Sequence, residues 1–276
     1  MIKNSLRTLV AAMAFALSGS AFAGPFILAG TDADDHGFTD GTSNIDGWFF
    51  MQRALENIAP GVTNGNKTVV SLGSSAGQAL DAAQSAFGKS NLAASGWTFL
   101  TIDGASAIDA FLAGGAAGAG IIMLDSGGNN VTGGLQFDED AVLTAHAAAI
   151  DNFLGAGGGL FSQANSYGWL GAILPSITTT GESNTGIDLT PAGSGAFPGL
   201  TSADLSAGPY HLAFENYGAV PVLGVGSFSG SAIIIGANGG KITDPGGTVP
   251  EPASMALIAG GLGLLGLSRR RRQQRG

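Results

Sequence analysis

Apolar positions along the chain fall into short runs broken by glycine. Phe26-Ile27-Leu28-Ala29 ends at Gly30 and has the length and flanks of a buried strand. From Asp46 to Ala59 the spacing becomes helical, with Trp48, Met51, Leu55 and Ile58 on one face, Asp46 as the expected cap and Pro60-Gly61 as the stop. Thr68–Leu72 reads as a second strand, Ala76–Phe87 as an Ala-rich helix and Trp97–Ile102 as a third strand. Ser106–Leu112 is a short helix, and Ala119–Leu124 a fully apolar fourth strand. Glu139–Leu154 carries the clearest helical pattern, with Asp138 as cap, acidic residues in the first turn and glycines 155 and 157 at the end. Gly159–Gln163 is a fifth strand.

Beyond that point the pattern changes. Tyr167–Leu174 suggests a short helix, and residues 176–209 are loop-rich. Three strand-like runs follow at His211–Glu215, Val220–Val225 and Ser231–Ile235. Short strands alternating with helices predict an α/β fold, a mostly parallel open sheet with helices on both faces in flavodoxin-like layers. No repeat of 20–50 residues interrupts it.

Composition narrows the classes. Of 276 residues 47 are glycine, yet no G-X-Y period exists, so collagen is excluded. With 45% hydrophobic residues and only 10 prolines, wholesale disorder is excluded too. The absence of cysteine removes disulfides, thiolate metal sites and any Cys nucleophile. The formal charge of −9 hides an asymmetry: residues 24–250 carry 19 acidic and four basic side chains, net −15. Such a body repels polyphosphate, which argues against nucleic acid as a partner, and it suits an exported protein or one that binds cations.

The two ends read as addresses. Lys3 and Arg7, the apolar run Leu9–Leu17 and Ala21-Phe22-Ala23 form the pattern of a secretory signal peptide over 1–23, with signal peptidase as the processing partner. Residues 24–240 are the expected α/β domain, and 241–249 a Gly/Pro linker. The segment 250–276 begins Pro250-Glu251-Pro252, continues through an uncharged apolar run to Leu267, and ends in Arg269, Arg270, Arg271 and Arg272. The run is a short transmembrane segment, the only expected contact with a membrane, and the arginines would stay cytoplasmic. This tail resembles the PEP-CTERM sorting signal of Gram-negative bacteria. The resemblance implies recognition by an exosortase, transient anchoring in the inner membrane, and delivery to the cell surface or the exopolysaccharide matrix of a biofilm.

The body resembles the class I glutamine-amidotransferase-like fold and its ThuA-like relatives. The likeness rests on the strand and loop Ala119–Gly128, on the glycines after Phe153-Leu154, and on Leu200–Asp204 followed by His211. In that family an elbow after the fifth strand carries a Cys nucleophile. Here the stretch reads Phe161-Ser162-Gln163-Ala164-Asn165-Ser166, so thiol-dependent glutamine hydrolysis is excluded.

Ligands of open α/β sheets bind where strands end at their carboxyl side. Three loops should meet there: 30–40, 125–130 and 163–166. The first holds Asp32, Asp34, Asp35, His36 and Asp40, a density of charge that repels itself unless neutralised. An EF-hand count places Asp32 first, but the twelfth position is Ser43 rather than Glu, so that motif is rejected. Three readings of the loop stay open. They are a looser Ca²⁺ site of Asp32, Asp34, Asp35 and Asp40, a solvated loop whose Asp residues cap backbone amides, and a site with a catalytic carboxylate or His36 base. His36, Asp125, Ser126, Asn129, Gln163 and Asn165 form the expected binding rim. A triad of Ser162 or Ser166 with His211 lacks a G-x-S-x-G elbow, and His146 reads as a helix residue without a site role. These readings favour an exported, surface-associated, non-catalytic protein that binds Ca²⁺ or a glycan. The alternative is a ThuA-like or hydrolase-type enzyme acting on extracellular polysaccharide.

Overall fold

The chain opens with strand β1 (Phe26–Ala29), forms a hairpin of β2 (Gly37–Thr39) and β3 (Asn44–Asp46), and enters helix α1 (Gly47–Ile58). Strand β4 (Thr68–Leu72), helices α2 (Gly77–Lys89) and α3 (Asn91–Ala94), strand β5 (Thr98–Ile102), helix α4 (Ala105–Ala113) and strand β6 (Ile121–Leu124) follow. Helices α5 (Phe137–Ala145) and α6 (Ala147–Gly155) lead to β7 (Gly159–Ser162). After α7 (Leu170–Ile173) come β8 (Thr178–Gly181), β9 (Ile187–Leu189), α8 (Pro191–Ala196), β10 (Leu212–Glu215), β11 (Val222–Gly226) and β12 (Ala232–Ala237). The computed structural model describes residues 24–164, 166–182, 186–206 and 212–237. The signal peptide, the linker, the sorting tail with Pro250, Glu251, Pro252 and Arg269–Arg272, and also Asn165 and His211, lie outside the described residues.

One ten-stranded sheet organises the body in the order β5-β4-β6-β7-β1-β12-β10-β8, with β11 paired to β12 and β9 to β11. From β5 to β1 all neighbours are parallel. From β1 onward they are antiparallel. The sheet is therefore mixed. Parallel neighbours need long crossovers, and the helical first half of the chain supplies them. The short link from β11 to β12 allows only antiparallel pairing of those two strands.

Side chains alternate between two cores. Phe26 and Leu28 of β1, Val70 and Leu72 of β4, and Ile122 and Leu124 of β6 join one, with Leu143, Ile150 and Phe153 of α5 and α6. Ile27, Val69, Ile121 and Met123 point into the other, with Phe50, Met51, Leu55 and Ile58 of α1. Strands buried on both faces read as continuous apolar runs, and such runs mark β1 and β6 in the sequence. Phe50 anchors the α1 face: it meets Phe161 and Phe197 edge-on at centroid distances of 5.8 and 5.3 Å.

Three helix expectations shift. Asp46 holds the N-cap position of α1 as expected, but its backbone takes φ 54°, ψ −128°, and its side chain makes no cap bond. The helix expected over 139–154 is two helices, broken at His146 (φ −103°, ψ 19°), whose Nε2 lies 2.8 Å from Asp109 Oδ1 on α4. Gln136, in a capping box with Glu139, replaces Asp138 as the cap of α5. Among the described residues no helix is long and apolar enough to cross a membrane.

Candidate functional site

β4 and β6 are neighbours whose chains leave in opposite directions, one to β5 and the other to β7. Such a divergence opens a crevice at the carboxyl ends of the strands. The loops after β1, β4, β6 and β7 meet at that end, as hydrogen bonds between them show.

Gln163, directly after β7, is fully buried. Its backbone N–H donates to Leu124 O (3.0 Å) at the end of β6. Its Oε1 accepts from Thr31 Oγ1 (2.9 Å) and Ala33 N (3.1 Å), which pins the loop after β1. Its Nε2 is buried without an acceptor among the described residues. Asp34 is also fully buried. One carboxylate oxygen accepts from Ser126 N (2.9 Å), the other from Asp35 N (3.1 Å), and its carbonyl accepts from the Trp48 indole (2.8 Å). Asp125 accepts from Ser74 Oγ (2.9 Å), Gly127 N (2.9 Å) and Leu135 N (2.8 Å), and Ser74 Oγ lies 2.9 Å from Ser71 Oγ. Burial raises the pKa of both acids, and the charge of Asp34 raises that of Asp125 further. This network ties the ends of four strands together.

Outside that network lies a smaller group. Asp32, Asp35 and His36 each present a ligand atom, and these atoms all fall within 4.8 Å of one another. His36 Nε2 is 3.4 Å from Asp32 Oδ2 and 3.5 Å from Asp35 Oδ2. Burial, then the charges of Asp34 and Asp35, push the Asp32 carboxyl up to about 7. Burial lowers the His36 pKa, against the pull of Asp35. The neutral imidazole is the form that a metal requires. The loop is held in place by α1: Gly47 N donates to His36 O (2.9 Å). A Cβ at Gly47 would sit 2.1 Å from Ala33 O, so only glycine allows this approach.

The expected site residues thus separate. Asp32, Asp35 and His36 gather together, Asp32 buried and the other two half-buried. Asp34, Asp125, Ser126 and Gln163 join the buried network, so the looser Ca²⁺ set loses Asp34 to an inward bond with Ser126 N. Asp40 lies on the β2–β3 turn instead, where Oδ1 accepts from Thr42 N (2.8 Å) and Ser43 N (2.7 Å). Asn129 lines a separate small cleft with Phe137, Asp140 and Ser166. Ser162 is fully buried, and its hydroxyl is engaged with Tyr167 Oη (3.3 Å) and Ala164 N (3.1 Å). Reading by charge passed over Thr31, Ser71 and Ser74. The hydroxyl-rich run at the end of β4, Ser71 to Ser75, was the signal for the last two.

Residues 248–272 match the PEP-CTERM protein-sorting motif. The chain carries an exosortase sorting signal. That motif places the protein among exported, cell-surface proteins processed by an exosortase. No curated protein and no solved structure matches the chain. The body is an α/β fold, a mixed sheet flanked by helices. Having no cysteine, it cannot act by a Cys-dependent amidotransferase mechanism.

Proposed function

We propose that the protein is a surface-displayed, non-catalytic binding protein whose α/β body holds a divalent cation through Asp32, Asp35 and His36. The carrying observation is the spacing of the imidazole from the two carboxylates, 3.4 and 3.5 Å. A tetrahedral site with arms of about 2.1 Å has edges of about 3.4 Å. A cation would also offset the charge that Asp34 and Asp35 impose on Asp32. The donor set bears on which ion binds. Ca²⁺ takes roughly six to eight oxygens, whereas two carboxylates and an imidazole suit a borderline ion such as Zn²⁺. The reading accordingly moves from Ca²⁺ to Zn²⁺. Export by the signal peptide and delivery to the surface or the exopolysaccharide matrix complete it.

A hydrolase acting on extracellular polysaccharide is the second reading. One observation favours it: three protein donors leave a coordination position open, as in catalytic zinc sites. The test of the binding site is thermal melting of the full chain in EDTA, in Ca²⁺ and in Zn²⁺. Saturating Zn²⁺ at 100-fold over Kd stabilises by about 2.7 kcal/mol. Superimposable curves in all three conditions would overturn the proposal.

A further inference from the structure

Cations are scarce on this body, and they are not spread evenly. Among the described residues only Arg53, Lys67 and Lys89 carry positive charge, against 18 carboxylates. Two of the three, Arg53 and Lys89, line the same cavity of about 410 Å³, together with Thr42, Ser43, Phe49 and Asp204. That volume falls in the range of roughly 300–1,000 Å³ typical of small-molecule sites. The cavity lies between the β2–β3 turn, α1 and the end of α2, and shares no residue with the Asp32, Asp35 and His36 group.

The polar groups in this cavity divide into those already paired and those with bonds to give. Asn44, which also lines it, donates to Gln52 Oε1 (3.1 Å) and Ser85 O (3.0 Å), and Gln52 donates to Glu56 Oε1 (3.2 Å). This amide pair is a closed wall. Asp40 is turned into its own turn by Thr42 N and Ser43 N. Asp204 accepts from Thr201 N and Thr201 Oγ1, both at 2.7 Å. The cations are less committed. Arg53 bonds Glu56 through Nη1 and lies over the Phe49 ring at 4.6 Å, while its Nε is buried with no acceptor among the described residues. Lys89 donates to the Gly41 carbonyl, and no carboxylate among the described residues lies within 4.0 Å of its nitrogen. An ammonium and a guanidinium each keep donors to spare after one bond. The hydroxyls of Thr42 and Ser43 stand beside them.

Two cations with spare donors in one cavity select an anion small enough to enter it, locally offsetting the net charge of −15 on the body. The guanidinium edge favours a carboxylate, and the hydroxyl rim favours a ligand that carries hydroxyls of its own. We propose that this cavity binds a small hydroxylated carboxylate, with the carboxylate held by Arg53 and Lys89 and the ligand hydroxyls by Thr42 and Ser43.

D-glucuronate and D-glucose make the probe pair, since they share a ring and differ in the carboxylate. Titration calorimetry on the full chain is expected to show binding of glucuronate and none of glucose. Lys89→Gln, an exposed change that leaves the core untouched, weakens glucuronate binding by about tenfold or more, the worth of a hydrogen bond to a charged group. Arg53→Gln does the same, while Lys67→Gln, in a different cavity, leaves it unchanged. Equal binding of both sugars, no binding of either, an unchanged affinity in Lys89→Gln, or an equal loss in Lys67→Gln would each overturn the proposal.

Discussion

Asp125 is the hub of the crevice and offers a sharp separation of charge from hydrogen bonding. It is 1% exposed and accepts from Ser74 Oγ, Gly127 N and Leu135 N. Burial and the nearby Asp34 raise its pKa above the ordinary value of 3.8. In the window between the two values the folded chain holds a proton that the unfolded chain has lost. Its contribution to stability is full below 3.8 and is lost as the pH rises through the folded value. Each unit of that displacement is worth about 1.4 kcal/mol. Asp125→Asn keeps an oxygen for Gly127 and Leu135, removes the charge, and presents an amide to Ser74, whose hydroxyl can rotate to accept. Because pH 5 already lies above 3.8, it should stabilise modestly there and by about 1–3 kcal/mol more at pH 8. Asp125→Ala strands two buried N–H groups and should cost about 1–3 kcal/mol for each at either pH. Urea unfolding of the full chain at the two pH values measures both variants. An Asn variant that loses more stability at pH 8 than at pH 5 would refute the reasoning.

Three further outcomes follow from the packing. Asp46 sits at φ 54°, ψ −128° without a cap bond, and such strain costs of order 1–3 kcal/mol, so Asp46→Gly should raise Tm. A lowered Tm would show that its side chain matters more than its backbone. Phe50→Ala removes a fully buried ring from contact with Phe161 and Phe197, and should cost about 3–5 kcal/mol in denaturant unfolding. Glu139 accepts from Gly104 N (2.7 Å) and Gln136 N (2.6 Å), joining the starts of α4 and α5. Glu139→Ala should therefore cost about 2 kcal/mol, and a loss below about 0.5 would mean that water replaces the carboxylate.

Much of the parallel half was legible because its strands are covered on both faces. Phe26–Ala29 and Thr68–Leu72 have the same bounds in the sequence pattern and in the fold. The antiparallel half was less so. Thr178–Gly181 is exposed along its length and carries no alternation to read, so β8 sits inside what looked like loop. The strands of the β2–β3 hairpin are only three residues each and carry no apolar alternation, although Asp40-Gly41 between them is a turn signal. The break at His146 had no local mark, since a distant partner, Asp109, meets the histidine there. At the site, charge density pointed to the right loop but not to its division. Asp34 and Asp35 are adjacent, yet one faces Ser126 in the interior and the other faces His36. Alternate orientation along a bent loop depends on what the neighbouring strands offer, which the loop's own residues do not encode.

The Asp32, Asp35 and His36 group is the proposed cation site, with His36 as its one nitrogen donor. Calorimetric titration of the full chain with Zn²⁺ at neutral pH, beside His36→Gln and beside Ca²⁺, tests it in one experiment. The expected result is a single Zn²⁺ site per chain, weakened by about tenfold or more in His36→Gln, with Ca²⁺ binding weaker than Zn²⁺. No heat of binding, an unchanged affinity in the variant, or tighter binding of Ca²⁺ would contradict it.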